Sequence, residues 1–187
     1  GAAECDRTEQ ARRAAQGDDQ EIQGVVRALL RRSIRMKRGE KKEGGDGEPI
    51  QVSCFTLDET NCGIDIALVQ EINDDLTITP VPLTPEYVLG IMNLRGQIVT
   101  VIDLSRKLGF RQSELSRTSR IIIVRWQNEY IGLLVDKVTE ILAINSQEIA
   151  EPPSNIKGAQ GRFFREVVKQ SGRELLAILD LEAILTE

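Results

Sequence analysis

The stretch "GIMNLRGQIVTVIDL", Gly90 to Leu104, decides how the chain is read. It is apolar nearly throughout, yet Arg95 stands near its centre. "GIMNL" and "QIVTVID" are strand-like runs separated by Arg95-Gly96. Two such runs joined by a two-residue link form a β-hairpin, and the glycine supplies the positive φ that the turn requires. The charge therefore stands at a hairpin tip beside the core. "DLSRKLG" follows as a short helix, capped by Asp103 and stopped by Gly109.

Working outward, "QVSCFTL" and "CGIDIAL" are strands flanking the turn "DETN". "VQEI" leads into a segment where Pro80, Pro82 and Pro85 forbid a long helix or a central strand. A short helix is expected from Pro85, with Thr84 as N-cap and Gly90 just past its end. Beyond a polar loop come "RIIIVRW" and "YIGLLVDKV", then "TEILAI" and a loop with Pro152 and Pro153. "FFREVVKQ" and "RELLAILDL" read as another hairpin around Ser171-Gly172, and "DLEAILTE" as a helix capped by Asp180.

The two halves rhyme. At a displacement of 69 positions, Gly63, Val69, Glu71 and Ile72 fall on Gly132, Val138, Glu140 and Ile141. Later, "GQIVTVIDL" matches "GRELLAILDL" with one residue inserted. Each half reads hairpin, V-x-E-I, proline loop, hairpin, D-L, short helix. This order points to duplication of a small β-unit. A unit of roughly 60 residues buries only about 60% of its unfolded-chain surface. Strands such as "IVTVI" and "IIIVRW" are also apolar on both faces. The expectation is two small barrels, about 51–117 and 118–187, packed on one another with strand exchange between them allowed.

Composition narrows the function. The chain has 187 residues, 41% hydrophobic and 28% charged, within the ordinary globular range. A net charge of −5 argues against a nucleic-acid binder. No apolar run approaches the roughly 18 residues of a membrane span. There is no histidine, which removes Ser-His-Asp triads, Cys-His dyads and nearly all zinc enzyme sites. Cys5, Cys54 and Cys62 are an odd, irregular set, so a reducing cytosol fits better than a disulfide framework. Residues 1–49 differ in kind. Ile22, Val25, Val26, Leu29 and Leu30 lie on one helical face within 18–38, and Arg31, Arg32 and Arg35 follow. Residues 39–49 have a flexible linker's composition. The arm reads either as a poorly ordered extension or as a basic amphipathic helix for anionic lipid or a partner helix, the one route to membrane contact.

"FTLDETNCGIDIALVQEI", "PEYVLGIMNLRGQIVTVIDL", "YIGLLVDKVTEIL" and "LLAILDLEAIL" together resemble the CheW-like domain family of bacterial chemotaxis coupling proteins, over about 51–187. The resemblance implies a mostly β fold of two five-stranded SH3-like barrels sharing a hydrophobic core. It implies a non-catalytic scaffold joining the cytoplasmic tip of methyl-accepting chemoreceptors to the regulatory domain of a CheA-type histidine kinase. Such a protein is cytoplasmic, recruited to receptor arrays at the inner membrane face, and needs no cofactor or metal. The alternative is a CheW-like module of a twitching, gliding or fused signalling system, localised by the arm. The sequence departs from the family at Thr100, where proline is usual, and at Glu166, where glycine is usual.

Taken alone, Arg95 is a solvated turn residue. The resemblance places it at the coupling surface, paired through its planar fork with Glu71. Val69, Ile72, Val135 and Val138 read either as core or as walls of a groove for the receptor tip. Gly90 adds close packing near the arginine. Glu71, Glu140, Asp65, Asp103 and Asp180 make a weak catalytic signal, since Asp103 and Asp180 serve as caps and no histidine is present to act as base.

Overall fold

The computed structural model describes residues 49–150, 161–169 and 175–186. The amphipathic arm with Arg31, Arg32 and Arg35, the linker before residue 49, the Pro152-Pro153 loop and the Ser171-Gly172 turn lie outside the described residues.

The apolar runs form strands, as their β-branched content favours. They are β1 (Ile50–Leu57), β2 (Thr60–Asp65), β3 (Val69–Asn73), β4 (Val88–Leu94), β5 (Gln97–Asp103), β6 (Arg120–Trp126), β7 (Glu129–Val135), β8 (Lys137–Ile144), β9 (Ile149–Ala150), β10 (Phe164–Val168) and β11 (Leu176–Leu179). Two short helices follow β5 and β11: α1 (Leu104–Lys107) and α2 (Leu181–Leu185). The strands form a six-stranded sheet, β8-β1-β2-β11-β10-β9, and a five-stranded sheet, β3-β6-β7-β5-β4. The mostly β class is as expected. The sixth strand of the larger sheet is the two-residue β9, which pairs with β10.

Neither sheet is built from one half of the chain. The stretches 51–117 and 118–187 describe the repeat in sequence, whereas the sheets exchange strands between them. Equating β1, β2, β3, β4 and β5 with β6, β7, β8, β10 and β11 turns the order β8-β1-β2-β11-β10 into β3-β6-β7-β5-β4. The register repeats as well. The β1–β8 ladder slips between Cys54 and Phe55, opposite Glu140 and Val138. The β3–β6 ladder slips between Val69 and Glu71, opposite Val124 and Ile123. These four positions in each ladder differ by the same 69-residue displacement.

The exchange follows from burial. Ile121, Ile122, Ile123 and Val124 are all 0% exposed, so β6 is covered on both faces. Ile121 and Ile123 pack with Met92, Val99, Val101 and Leu134 on one side of the five-stranded sheet. Val52, Cys54, Ile144, Val168, Leu176 and Ile178 form the corresponding cluster in the other. Strand β1 also touches β7 of the opposite sheet.

Two glycines of the repeat mark the tightest packing. Each lies in the parallel pairing that joins the halves, Gly63 against Ile178 and Gly132 against Val101. A Cβ on Gly63 would lie 2.4 Å from Val52 Cγ1, and one on Gly132 would lie 2.7 Å from Ile121 Cγ2. Val52 and Ile121 are themselves matched by the repeat.

Both expected caps form. Asp103 Oδ1 accepts from Arg106 N at 3.1 Å, and Asp180 Oδ1 accepts from Ala183 N at 3.0 Å. The backbone N–H of each donates across to the segment preceding the hairpin, to Tyr87 O at 2.7 Å and Phe163 O at 2.8 Å. The helix expected from Pro85 does not form. Thr84 Oγ1 donates to Val81 O at 2.9 Å instead of capping, and Gly90 lies inside β4. Pro85 to Val88 closes a single turn instead, Val88 N donating to Pro85 O at 2.9 Å, and a two-way bridge, Thr79 N to Ile91 O at 2.8 Å and Ile91 N to Thr79 O at 2.9 Å, draws the chain after it into β4.

Cys54 and Cys62 are buried and in no disulfide among the described residues. Burial, then the neighbouring Cys54, pushes the Cys62 thiol up to about 12. A raised thiol pKa means that the fold keeps a proton which the unfolded chain releases. Stability is therefore full below the unfolded value near 9.0 and falls as pH rises towards 12. Two outcomes follow for urea denaturation. Stability declines above pH 9.0, and Cys62→Ala makes that decline shallower. Gly132→Ala costs about 1–3 kcal/mol by overpacking. In a double-mutant cycle it couples favourably to Ile121→Ala; additive changes would refute the packing account.

Candidate functional site

The site grows from the β4–β5 hairpin. Leu94 and Gln97 close it, and Arg95 (φ 52°) and Gly96 (φ 86°) are both left-handed, as a type I′ turn demands. Sequence reasoning assigned positive φ to the glycine alone. Asn93 Oδ1 accepts from Gly96 N at 2.8 Å and fixes the tip. Arginine in the left-handed region costs roughly 1–2 kcal/mol, so the turn alone does not account for it.

Its contact is Glu71. Arg95 Nη2 lies 3.0 Å from Glu71 Oε2 and donates to Oε1 at 3.1 Å. One nitrogen bridges both oxygens, in place of the two-nitrogen fork expected. The Arg95 side chain is 68% exposed and that of Glu71 19%, so the pair stands in water on one side and on protein on the other.

The pair also constrains the sheet. Glu71 is on β3 and Arg95 follows β4, and these strands are the two edges of the five-stranded sheet. In a flat sheet the edges would stand about 19 Å apart, at about 4.8 Å per strand gap. Contact at 3.0 Å means that the sheet curls until its edges approach.

Gly90 permits this. It lies at a register shift in β4 with φ 145°, and a Cβ there would lie 2.1 Å from Thr79 O. Any side chain would push away the segment bridged to β4. The matching position in the other half is Glu166, opposite Ile178 as Gly90 is opposite Val101. Glu166 has no positive φ and pairs with Arg165 Nε at 3.6 Å. Glu140 matches Glu71, but Ser171-Gly172 stands where the first half has Arg95-Gly96. The repeat thus differs between its halves at the tip.

The four aliphatic candidates are interior. Val69 and Val135 are 0% exposed, Ile72 5% and Val138 7%. These side chains point into the interior and offer no open groove wall; Val69 and Ile72 flank Glu71 on β3, whereas Val135 lies opposite Arg120 at the far end of β7 and Val138 is in the other sheet. The apolar surface beside the tip is Ile98, 64% exposed, paired with exposed Asn93. Sequence reasoning missed it. Ile98, Thr100 and Ile102 share one strand face, which passes from buried at Ile102 to exposed at Thr100 and Ile98. Among the described residues, no three His, Cys, Asp or Glu side chains cluster to hold a metal ion.

A family model described as CheW-like domain matches residues 51–187. The chemotaxis protein CheW of Helicobacter pylori is 30% identical over 160 residues, 86% of this chain and 95% of that protein. CheW of Thermotoga maritima is 32% identical over 137 residues, 73% of this chain and 88% of its own. Among solved structures, the scaffolding protein TtCheW from Thermoanaerobacter tengcongensis is 38% identical with a TM-score of 0.65, covering 71% of this chain and 90% of that one.

Removing the exposed pair should barely affect folding. Arg95→Ala is expected to change stability by only ~0–1 kcal/mol. Gly90→Ala is expected to cost about 1–3 kcal/mol and to increase hydrogen exchange at Thr79 and Ile91. Chemical denaturation and amide exchange check both. Equal losses for the two variants would contradict the distinction.

Proposed function

This chain belongs to the CheW-like domain family, and from that premise we propose that it is a non-catalytic adaptor of bacterial chemotaxis. It joins the cytoplasmic tip of chemoreceptors to the regulatory domain of a CheA-type histidine kinase. The names of its relatives, chemotaxis protein and scaffolding protein, support an adaptor role in chemotaxis. Each exchanged sheet serves as one SH3-like unit of the scaffold.

The observation that carries the reading is the Arg95–Glu71 pair at 3.0 Å. A surface pair of this kind adds little stability, so its value lies in orientation. It holds a cationic side chain at a fixed hairpin tip next to exposed Ile98, the combination of charge and apolar surface that recognises a protein partner. Glu71 and Gly90 position the tip. Val69 and Ile72, buried on the strand that carries Glu71, anchor it from within, while Val135 and Val138 belong to the core away from the tip. No described helix is long and apolar enough to cross a membrane. The adaptor works in the cytoplasm and reaches the inner membrane face through the receptor.

Isothermal titration of the full chain against a receptor cytoplasmic fragment, and separately against the kinase regulatory domain, tests the proposal. Both bind, and Arg95→Ala weakens at least one of them about tenfold at an unchanged melting temperature. Binding to neither would end this reading.

A further inference from the structure

A second surface lies at the opposite end of β5. Residues 106–120 hold Arg106, Lys107, Arg111, Arg117 and Arg120 against one acid, Glu114. From residue 50 onward the chain carries 13 basic and 19 acidic side chains, so this short segment is a cationic island on an acidic domain.

Several of these charges are uncompensated. Arg106 donates through Nη1 to Glu86 O at 2.7 Å and through Nη2 to Gln112 Oε1. Lys107 Nζ stands 4.0 Å from the centre of the Tyr87 ring. All of these partners are neutral. Arg111 and Arg117 are exposed and make no ion pair among the described residues. The loop's own hydroxyls hold it in shape, Ser116 N donating to Ser119 Oγ at 2.9 Å and Ser113 Oγ to Ser105 Oγ at 3.0 Å.

Two leucines accompany the island. Leu115 lies within it and is 60% exposed. Leu83 is 105% exposed and left-handed, with φ 62°. Its loop is tied to α1 by the Arg106 and Lys107 contacts. A fully solvated leucine in a strained conformation has no role in the isolated fold.

We propose that the α1–β6 loop, with Leu83, is a docking surface for a short acidic protein segment bearing aliphatic side chains. Guanidinium groups match carboxylates in shape as well as charge, and four of the five cations are arginine. The acidic remainder of the domain repels an extended anionic body such as a bilayer or a nucleic acid, whereas a short segment meets only the island. Seven residues of β5 separate this surface from the Arg95 tip, a span of roughly 23 Å. The two surfaces are therefore separable.

The test uses the isotope-labelled full chain at low salt, titrated with a synthetic peptide of repeated Glu-Glu-Leu-Leu. The Lys-Lys-Leu-Leu counterpart, phosphatidylglycerol–phosphatidylcholine vesicles and a DNA duplex are run in parallel. The acidic peptide shifts the amides of Leu83, Arg111, Leu115 and Arg117. The double variant Arg111→Glu, Arg117→Glu binds it at least about tenfold more weakly at an unchanged melting temperature, while Arg95→Ala binds it as before. Absence of shifts, shifts elsewhere, undiminished binding by the double variant, or vesicles or DNA binding as tightly as the peptide overturns the proposal. The map on the unaltered chain decides even if the double variant fails to fold. Failure here leaves the receptor and kinase titrations unaffected.

Discussion

Four strand pairings join the first half of the chain to the second: β1 with β8, β2 with β11, β3 with β6 and β5 with β7. The rest of the architecture depends on them. A half alone has too little interior to hold itself together. Its strands are apolar on both faces, and only the exchange covers both. The hairpin with Arg95 is attached to this framework through β5 and β7, and Glu71 through β3 and β6. The exchange thus makes the scaffold stable and sets the geometry of the 3.0 Å pair.

The duplication is faithful where packing demands it and relaxed where it does not. Gly63 and Gly132 recur because a β-branched side chain crowds each of them. Asp103 and Asp180 recur because each helix start needs a cap. The two-residue links have diverged in sequence: Arg95-Gly96 stands at the tip in one half, and Ser171-Gly172 holds the matching sequence position in the other. The Arg95 tip is exposed and lies outside the core, and for that reason it can carry recognition.

The features written locally were legible in the sequence. The Arg95-Gly96 turn, both caps and the V-x-E-I strands depend on residues within a few positions of one another. The strand order was not legible. A strand apolar on both faces does not declare its neighbour, and every crossing pair is distant in sequence. The same ambiguity affected Val69, Ile72, Val135 and Val138, since an aliphatic side chain reads alike as core or as groove. The segment at Pro85 carried genuine helix-start signals, and the bridge between Thr79 and Ile91 overrode them. Ile98 was missed because its strand face changes from buried to solvated along its length.

The exchange has a consequence for synthesis. The ribosome delivers β1 and β2 long before β8 and β11, so the early strands emerge with their eventual neighbours still untranslated. The strands of the five-stranded sheet are all present once Val135 has been added, but the six-stranded sheet cannot assemble until Leu179, close to the end of the chain. Until then the nascent protein exposes unpaired, doubly apolar strands, the kind of surface that chaperones bind. Completion is therefore staged: the five-stranded sheet has its strands first, and β1 and β2 wait for the last strands to cover them.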